Sequence, residues 1–346
     1  MQALVKTAKG IGQIEVVERD KPVIQPNEVL IQIDAAAVCG TDIHIFHDRF
    51  PYWPPVTLGH EFAGEIAEVG SEVATWKVGD RVVGEPHTLA CGHCPLCRSG
   101  NPQICNDKRS PGWGIDGAFA RYMRFPDSKL LHRIPEGMDA ATACLAEPMA
   151  NIVSDLVLNN AIKVGDTVMV SGPGPIGIMA ALTCKYMGAS RVIVVGTNQD
   201  ELTRLPFCRN QRAIDNVINV QKENALAIIN ELTNGMGVDV VVEASGAAPA
   251  IKMGVNALRK MGTYTAIGLT GRDEISFPYD TFMKKAVNFH FNISTKYASW
   301  EPAIKMLADG VIPVDEYITH LGSIDNWKSM FEALESGHAI KAIFEF

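Results

Sequence analysis

The chain has 346 residues, of which 47% are hydrophobic and 20% are charged, and its formal net charge is −8. At roughly 150 residues per domain this length predicts about two domains, and the composition excludes an intrinsically disordered protein. The acidic balance and the lack of a Lys/Arg run argue against nucleic-acid binding, which needs a concentrated basic face. No stretch approaches about 18 uncharged apolar residues, and residues 1–10 lack the apolar core of a signal peptide. We therefore expect no membrane span and a cytoplasmic location.

The first 150 residues contain short alternating apolar segments bounded by Gly, Pro and Asp, which predict strands at 29–35, 62–69 and 81–83. From about residue 160, apolar strands alternate with helical patterns, as in βαβ units around a parallel sheet. The elements predicted there are a helix at 176–187 and strands at 167–171, 191–195, 239–243 and 263–267. Later in the chain we predict helices at 300–309 and 324–335 and a last strand at 339–345.

These elements predict an α/β chain with two domains. Residues 1–150 and 286–346, from both ends of the chain, form a β-rich domain. Residues 151–285 form an inserted, doubly wound parallel-sheet domain of the dinucleotide-binding type.

Eight cysteines are unusual in a chain that we place in a reducing compartment, where disulfides are rare. Cys91, Cys94 and Cys97 have the spacing C-x2-C-x2-C, and Cys105 follows shortly afterwards. Four thiolates can close a tetrahedral shell around zinc, and a closed shell leaves no position for a substrate. The alternative is four free or disulfide-bonded cysteines, but adjacent C-x2-C turns bring their sulfur atoms together. We therefore predict a structural zinc site.

Three further segments carry metal-binding side chains, which are Cys39, His44, His60, Glu61 and Glu147. One thiolate, one imidazole and a carboxylate form a mixed shell that can keep a position open for water or substrate. Each side chain alone has an ordinary explanation, since a single cysteine usually behaves as a small core residue. Their combination with the other motifs of the chain favours a catalytic metal.

The segment 171–177, with the sequence SGPGPIG, contains the pattern G-x-G-x-x-G between a predicted strand and a predicted helix. In this context the glycines let the backbone approach a pyrophosphate at the N-terminus of the helix. Without that context the pattern is an ordinary tight turn. We therefore predict that a dinucleotide is bound by Gly172, Gly174, Pro175, Ile176 and Gly177.

The end of the second predicted strand bears on the choice of coenzyme. An acidic residue that binds the ribose hydroxyls is expected about 20 positions after the glycines, but a Gly-Thr-Asn run stands there instead. Asp200 and Glu201 follow slightly later. They would repel a 2′-phosphate, which favours NAD and leaves NADP as the alternative. The residues that we assign to this end of the pocket are Gly196, Thr197, Asn198 and Arg204.

Together these motifs resemble the zinc-dependent medium-chain dehydrogenases, in the branch of the sorbitol (polyol) and L-threonine 3-dehydrogenases. The resemblance covers essentially the whole chain. It is carried by CGTDIH at 39–44, GHE at 59–61, the four cysteines of 91–105, EP at 147–148, SGPGPIG at 171–177 and AIGL at 266–269. It implies a GroES-like catalytic domain, a Rossmann domain, two zinc ions per chain, NAD or NADP as cofactor, and a homotetramer.

The resemblance also implies roles for single residues. The catalytic zinc is assigned to Cys39, His60 and Glu61, and Glu147 corresponds to a carboxylate that binds zinc directly or through water. A proton relay is assigned to Thr41 and His44. The cofactor pocket is assigned to Ile176, Ile267, Gly268, Leu269, Ile293 and Ser294.

Lys296 stands where the family carries an arginine near substrate and cofactor. Its ammonium can bind a polar substrate group, although it lacks the bidentate fork of arginine. The alternative for Lys296 is a solvated surface lysine.

The activity implied is oxidation of a secondary alcohol to a ketone, with hydride transfer to the nicotinamide. We favour a polyol or sugar alcohol, because Glu61 and Glu147 match the polyol branch. L-Threonine comes second, because its branch often has Asp at position 147, and a simple primary alcohol comes third. A zinc-stabilised dinucleotide sensor without turnover is the alternative from another class, but Thr41 and His44 argue against it. A zinc hydrolase would have no use for the dinucleotide turn.

Overall fold

The structure is a computed structural model that describes residues 1–346. The first eight strands are β1 (Gln2–Lys6), β2 (Ile14–Glu18), β3 (Val29–Ala37), β4 (Val56–Thr57), β5 (Glu61–Val69), β6 (Arg81–Gly84), β7 (Tyr122–Phe125) and β8 (Leu131–Arg133). The later strands are β9 (Thr167–Ser171), β10 (Arg191–Gly196), β11 (Asn216–Asn219), β12 (Val238–Glu243), β13 (Leu258–Ala266), β14 (Asn288–Phe291), β15 (Ile318–Gly322) and β16 (Lys341–Glu345).

Twelve α-helices connect and cover these strands. They are α1 (Gly40–Phe46), α2 (Pro95–Arg98), α3 (Ala140–Ala143), α4 (Ala146–Ile152), α5 (Pro175–Tyr186), α6 (Arg204–Asn210), α7 (Ala225–Leu232), α8 (Ala248–Ala257), α9 (Tyr279–Lys285), α10 (Tyr297–Ala308), α11 (Val314–Tyr317) and α12 (Trp327–Ser336). Short 3-10 turns lie at Pro102–Ile104, Ser128–Leu130, Gln199–Leu202 and Ile324–Asn326, and a π-helical turn lies at Val153–Leu158.

Strands β9 to β14 form one parallel sheet in the order β11-β10-β9-β12-β13-β14. Their near-continuous valine and isoleucine runs suit strands that helices cover on both faces. The order is that of the Rossmann fold, in which ligands bind at the carboxyl edge of the strands, where the order reverses. The predicted parallel sheet is therefore confirmed, and its reversal point lies between β9 and β12.

The parallel sheet extends further along the chain than the domain boundary predicted after residue 285. Strand β14 pairs in parallel with β13, in the register Thr263 to Asn288 and Ala266 to Phe291. Backbone hydrogen bonding therefore assigns residues as far as Phe291 to this sheet. We propose a domain junction after Phe291 in place of the one at 285–286.

The β-rich part contains a seven-stranded sheet in the order β15-β16-β3-β5-β6-β8, with β7 also paired to β3. A small sheet of β2, β1 and β4 lies beside it. Strand β16 pairs antiparallel with β3, in the register Ile343 to Ala37. Strands from both ends of the chain thus share one GroES-like domain, as the predicted fold class requires.

A single long apolar helical segment, Ala140–Leu158, runs through α3, α4 and the π-helical turn. By length and composition its 19 residues could cross a membrane, but 78% of its most apolar window is buried inside the protein. It is not an uncharged run, because Glu147 and Asp155 interrupt the apolar sequence. The segment is the core helix on which α5 and α10 pack.

Candidate active site

Cys39, His60 and Glu61 converge into one group whose ligand atoms all lie within 4.8 Å of one another. Cys39 is the N-cap of α1, and Glu61 opens β5 directly after His60. His60 and Glu61 are adjacent in the chain, and both face the same site because the chain turns into the strand at Gly59, which has φ +89°. The structure thus brings together the three ligands predicted for the catalytic metal.

Buried and unpartnered polar atoms mark this group as a metal site. Nδ1 of His60 is buried and has no hydrogen-bond partner, a costly arrangement that a metal ligand would not have. In the metal-free protein, burial lowers the pKa of His60, but the charges of Cys39, Asp42 and Glu147 raise it to about 10. A buried imidazole surrounded by anionic donors fits a divalent cation, and one thiolate with one imidazole suits zinc.

Glu147 lies near this group but outside it. Its carboxylate is buried on α4, and Oε1 accepts a hydrogen bond from Nδ2 of Asn151 at 2.9 Å. Burial raises the pKa of Glu147, attraction to His60 lowers it, and repulsion from Glu61 raises it further. The Glu147 carboxylate is bound to Asn151 and is not part of the converging group, so direct ligation by Glu147 stays a prediction.

The four cysteines of 91–105 form a second group whose ligand atoms lie within 4.8 Å of one another. The Sγ atoms of Cys91 and Cys97, and those of Cys94 and Cys105, lie 4.0 Å apart. Zinc–sulfur bonds of about 2.3 Å in a tetrahedron require sulfur–sulfur distances of about 3.8 Å, so the group is the size of a zinc site. A hydrogen bond from the Cys91 N–H contributes most to lowering the pKa of Cys105 to about 6, which favours the thiolate.

Thr41 and His44, the predicted proton relay, lie on α1 directly after the ligand Cys39. The hydroxyl of Thr41 is 3.7 Å from Sγ of Cys39. His44 lines a cavity of about 590 Å³ together with Ser245, Leu269 and Thr270. Burial, followed by repulsion from Arg49 and His47, lowers the pKa of His44, so its imidazole is neutral at pH 7 and can accept a proton.

The glycine turn joins β9 to α5 and leaves open space at one position. Gly172 has φ +92°, and a Cβ there would lie 2.6 Å from Cβ of Ser245. A Cβ at Gly177 would lie 1.9 Å from the oxygen of Gly172, so the helix packs there against its own turn. Gly174, the N-cap of α5, has nothing within 4 Å of its Cβ position. A pyrophosphate-binding turn needs a tight turn, close packing of the helix and room for the phosphate, and Gly172, Gly177 and Gly174 supply these in that order.

The end of β10 has the Gly-Thr-Asn run that the sequence showed, and its polar groups bond to each other. The backbone N–H and the hydroxyl of Thr197 both donate to Oδ2 of Asp200, each at 2.9 Å. The amide of Asn219 donates to Oδ1 of Asn198 at 2.9 Å. Glu201 accepts from Arg209 and Asn219, and these hydrogen bonds lower the pKa of Glu201 to about 2. Glu201 is therefore anionic at neutral pH.

Arg204, which the sequence assigns to the cofactor pocket, contacts the other domain, and its cofactor role stays a prediction. Its Nε donates to the oxygen of Ala339 at 3.1 Å, and one terminal nitrogen donates to the oxygen of Leu334 at 2.7 Å. The other terminal nitrogen faces Asp200 at 3.4 Å. The unpaired carbonyls at the C-terminal end of α12 attract the guanidinium, so Arg204 joins the two domains.

Ile267, Gly268 and Leu269 follow β13 at the carboxyl edge of the parallel sheet. The N–H groups of Ile267 and Gly268 donate to the oxygen of Glu243 at 2.8 and 2.9 Å. Leu269 and Ile293 are 58% and 59% exposed, so both leave apolar surface available to a flat ring. Ser294 has φ +62°. Lys296, the N-cap of α10, is exposed and makes no ion pair, so its substrate role stays a prediction.

Sequence reasoning missed Lys341, which contacts Glu61 in the candidate metal site. Lys341 is buried in β16 between apolar neighbours. A lysine inside an otherwise apolar strand was the available signal, because a buried ammonium needs an anionic partner.

Comparisons with known proteins agree with this geometry. The family model "Alcohol dehydrogenase GroES-like domain" matches residues 25–136, and the model "Zinc-binding dehydrogenase" matches residues 175–309. A sorbitol dehydrogenase of Halalkalibacterium halodurans is 38% identical over 343 residues, which cover 99% of this chain and 98% of that protein. An L-threonine 3-dehydrogenase of Rhizobium etli is 34% identical over 356 residues, covering 100% and 99%.

A solved zinc-binding dehydrogenase of Sinorhizobium meliloti, bound to NADP, superposes with a TM-score of 0.90 and 26% identity, covering 100% of this chain and 99% of that one. Full-length similarity, both domain models and the converging metal ligands lead to one conclusion. The chain belongs to the zinc-dependent medium-chain dehydrogenase family and is a zinc-type alcohol dehydrogenase.

Proposed function

We propose that this enzyme oxidises a secondary alcohol group of a polyol or sugar alcohol to a ketone and passes the hydride to NAD. The observation that carries the proposal is the group of Cys39, His60 and Glu61. Cys39 caps the helix that carries His44, and His44 lines a cavity together with the loop after β13. The polyol substrate is supported by the first relative reported above, which is a sorbitol dehydrogenase.

Cys39, His60 and Glu61 would hold a catalytic zinc ion, which as a Lewis acid lowers the pKa of an alcohol. We propose that Thr41 accepts the hydroxyl proton of the substrate, because its own hydroxyl lies beside Cys39. His44 then receives the proton at the edge of the cavity and passes it to solvent. Glu147, held by Asn151, orients a water molecule or a substrate hydroxyl. The cysteines of 91–105 would hold a second, structural zinc ion.

NAD is favoured over NADP by the charges at the end of β10. Arg204 is bound to protein carbonyls and does not offer its guanidinium to a 2′-phosphate. The ionised Glu201 adds no net repulsion of such a phosphate, because Arg209 and Lys222 form ion pairs with it, so the preference for NAD rests on Arg204. The turn at Gly174 and the apolar residues Leu269 and Ile293 would receive the pyrophosphate and the nicotinamide.

We also propose a homotetramer in a reducing compartment such as the cytoplasm. Strand β14 is an edge of the parallel sheet, and its Phe291 is 79% exposed, which suits pairing with a second copy. All eight cysteines are free, as expected where thiols stay reduced.

The test is to measure initial rates of NAD and NADP reduction with sorbitol, xylitol, L-threonine and simple alcohols, with and without a zinc chelator. We expect chelator-sensitive turnover of a polyol with NAD, and loss of turnover in Cys39→Ser while the fold is retained. Turnover of L-threonine alone would select the second candidate, which the 34% identical relative supports. A Cys39→Ser variant with full activity would overturn the metal assignment.

A further inference from the structure

The segment 105–113 leads from the four-cysteine site to the catalytic group. At its far end the Trp113 indole lies edge-on against the His60 imidazole, with ring centroids 4.9 Å apart. The oxygen of Trp113 accepts the N–H of Trp53 at 2.9 Å. The guanidinium of Arg109 lies over the Trp53 ring, with Cζ 4.1 Å from its centroid. Contacts through Trp113 and Trp53 therefore connect a predicted metal ligand to a cation.

Lys108 adds a second positive charge beside Arg109. Its half-buried Nζ donates to the oxygen of Gln103 at 2.5 Å, which leaves two of its three protons free. Neither Lys108 nor Arg109 forms an ion pair with a carboxylate within 4.0 Å. Burial lowers the pKa of Lys108, and attraction to Cys105 and Glu147 raises it.

The imidazole of His87 is a further titratable group in the field of Lys108. His87 is buried, Nε2 lies 3.2 Å from Glu85, and Nδ1 has no partner. Burial, followed by repulsion from Lys108, lowers the pKa of His87 to about 4, so the ring is neutral. In a chain with a net charge of −8, Lys108 and Arg109 are thus two cations that no carboxylate pairs with.

We propose that Lys108 and Arg109 bind an oxyanion, a phosphate or a carboxylate, carried by the alcohol substrate at the end remote from the reacting carbon. Nη1 of Arg109 donates to the backbone oxygens of Lys108 and Asp107 at 3.0 and 3.4 Å, so the edge formed by Nε and Nη2 is left for a bidentate contact. The Lys108 ammonium supplies a point charge. The aromatic faces of Trp53 and Trp113 would border the carbon chain between the two ends. This inference rests on the proposed function and narrows its substrate class.

Matched substrate pairs test the inference. We would compare D-sorbitol with D-sorbitol 6-phosphate, and L-threoninamide with L-threonine, so that the two arms distinguish phosphate from carboxylate. For at least one pair we expect kcat/KM to be roughly tenfold or more higher for the charged member, with a preference that falls as salt is added. Inorganic phosphate should compete with the alcohol. The double variant Lys108→Gln, Arg109→Gln should lower kcat/KM for the charged member at least tenfold more than for its neutral partner.

Arg98→Gln is the control, because this exposed arginine of α2 lies on the same four-cysteine lobe and makes no ion pair. If the neutral members react as well as the charged ones, and the double variant affects both equally, the inference fails while the dehydrogenase activity stands. If no member of either pair reacts with zinc-loaded, NAD-bound enzyme, the proposed function itself fails.

A structural role for Lys108 is tested separately. If the double variant loses zinc and stability while its preference for the charged member is unchanged, the cations serve the four-cysteine site and the inference is overturned. Arg109→Gln alone keeps the test informative if Lys108→Gln does not fold, because Arg109 contacts Trp53 and no cysteine.

Discussion

Lys341 and Glu61 form an ion pair inside the protein, with Nζ 2.5 Å from Oε2 and side chains only 2% and 1% exposed. The same ammonium donates to the oxygen of Val38 at 3.0 Å, next to the ligand Cys39. Burial lowers the pKa of Lys341, but attraction to Glu61 and Cys39 raises it above its usual value, so it stays charged. Lys341 thereby fixes one oxygen of Glu61 and leaves the other for a metal.

We expect Lys341→Met to destabilise the protein by about 3–5 kcal/mol, because it leaves the Glu61 carboxylate buried without a partner. Urea unfolding and zinc content per chain would measure the loss. Lys305→Met is the matched control, since its exposed pair with Asp309 contributes less than about 1 kcal/mol. Equal stability and zinc content in both variants would contradict the role of Lys341.

The two glycines of the nucleotide turn should respond differently to a methyl group. Gly177→Ala places its Cβ 1.9 Å from the Gly172 oxygen, so we expect a loss of several kcal/mol in unfolding free energy. In Gly174→Ala the methyl group would enter open space, so the protein should keep its stability. The methyl group should weaken coenzyme binding roughly tenfold or more, because the pyrophosphate would lie there. Thermal unfolding and NADH fluorescence titration would separate the two effects. Unchanged NADH affinity in Gly174→Ala would place the pyrophosphate elsewhere.

Arg204→Met should weaken the junction of the two domains and not the coenzyme site. It removes hydrogen bonds to the oxygens of Leu334 and Ala339, so we expect a loss of about 1–3 kcal/mol with KM for NAD unchanged within about twofold. Arg191→Met, which removes a bond to Leu232 within the parallel-sheet domain, is the control. A large rise in KM for NAD at unchanged stability would show that Arg204 contributes to binding of the cofactor.

Asp155 should make the protein less stable as the pH rises. Burial raises the pKa of Asp155 to about 7, and Oδ1 has no partner. An unfolded aspartate titrates near about 4, so between these values only the folded state holds the proton, and stability falls with increasing pH until about pH 7. Asp155→Asn carries no such charge.

We therefore expect Asp155→Asn to be more stable than the parent protein by about 1–3 kcal/mol at pH 8, with a smaller advantage at pH 5. Urea unfolding at both pH values would measure this difference, since other titrating groups cancel in the comparison. If the difference in unfolding free energy between the two proteins were the same at both pH values, or larger at pH 5, folding would not raise the pKa of Asp155, and the prediction would be wrong.

Local patterns account for what the sequence could predict. The strand β9 is a short apolar run, the helix α5 is a longer apolar run, and the turn between them has a glycine motif, so the sequence predicts the element types and the nucleotide turn. The three converging metal ligands were assigned through family motifs. The contact partners of Lys341 and Arg204 could not be predicted, because each residue pairs with residues that are distant in the sequence. Local sequence patterns carry no information on such pairs.

The position of β16 has a consequence for biosynthesis. This strand lies between β15 and β3, and Lys341 is its first residue. On the ribosome, β3 and β5 are made early, but the ion pair of Glu61 cannot form until the entire parallel-sheet domain has been translated. Domains generally fold as they emerge from the ribosome. The N-terminal half of the β-rich domain therefore has an unpaired edge on β3 until β16 is translated. Stable metal loading should therefore follow translation of β16.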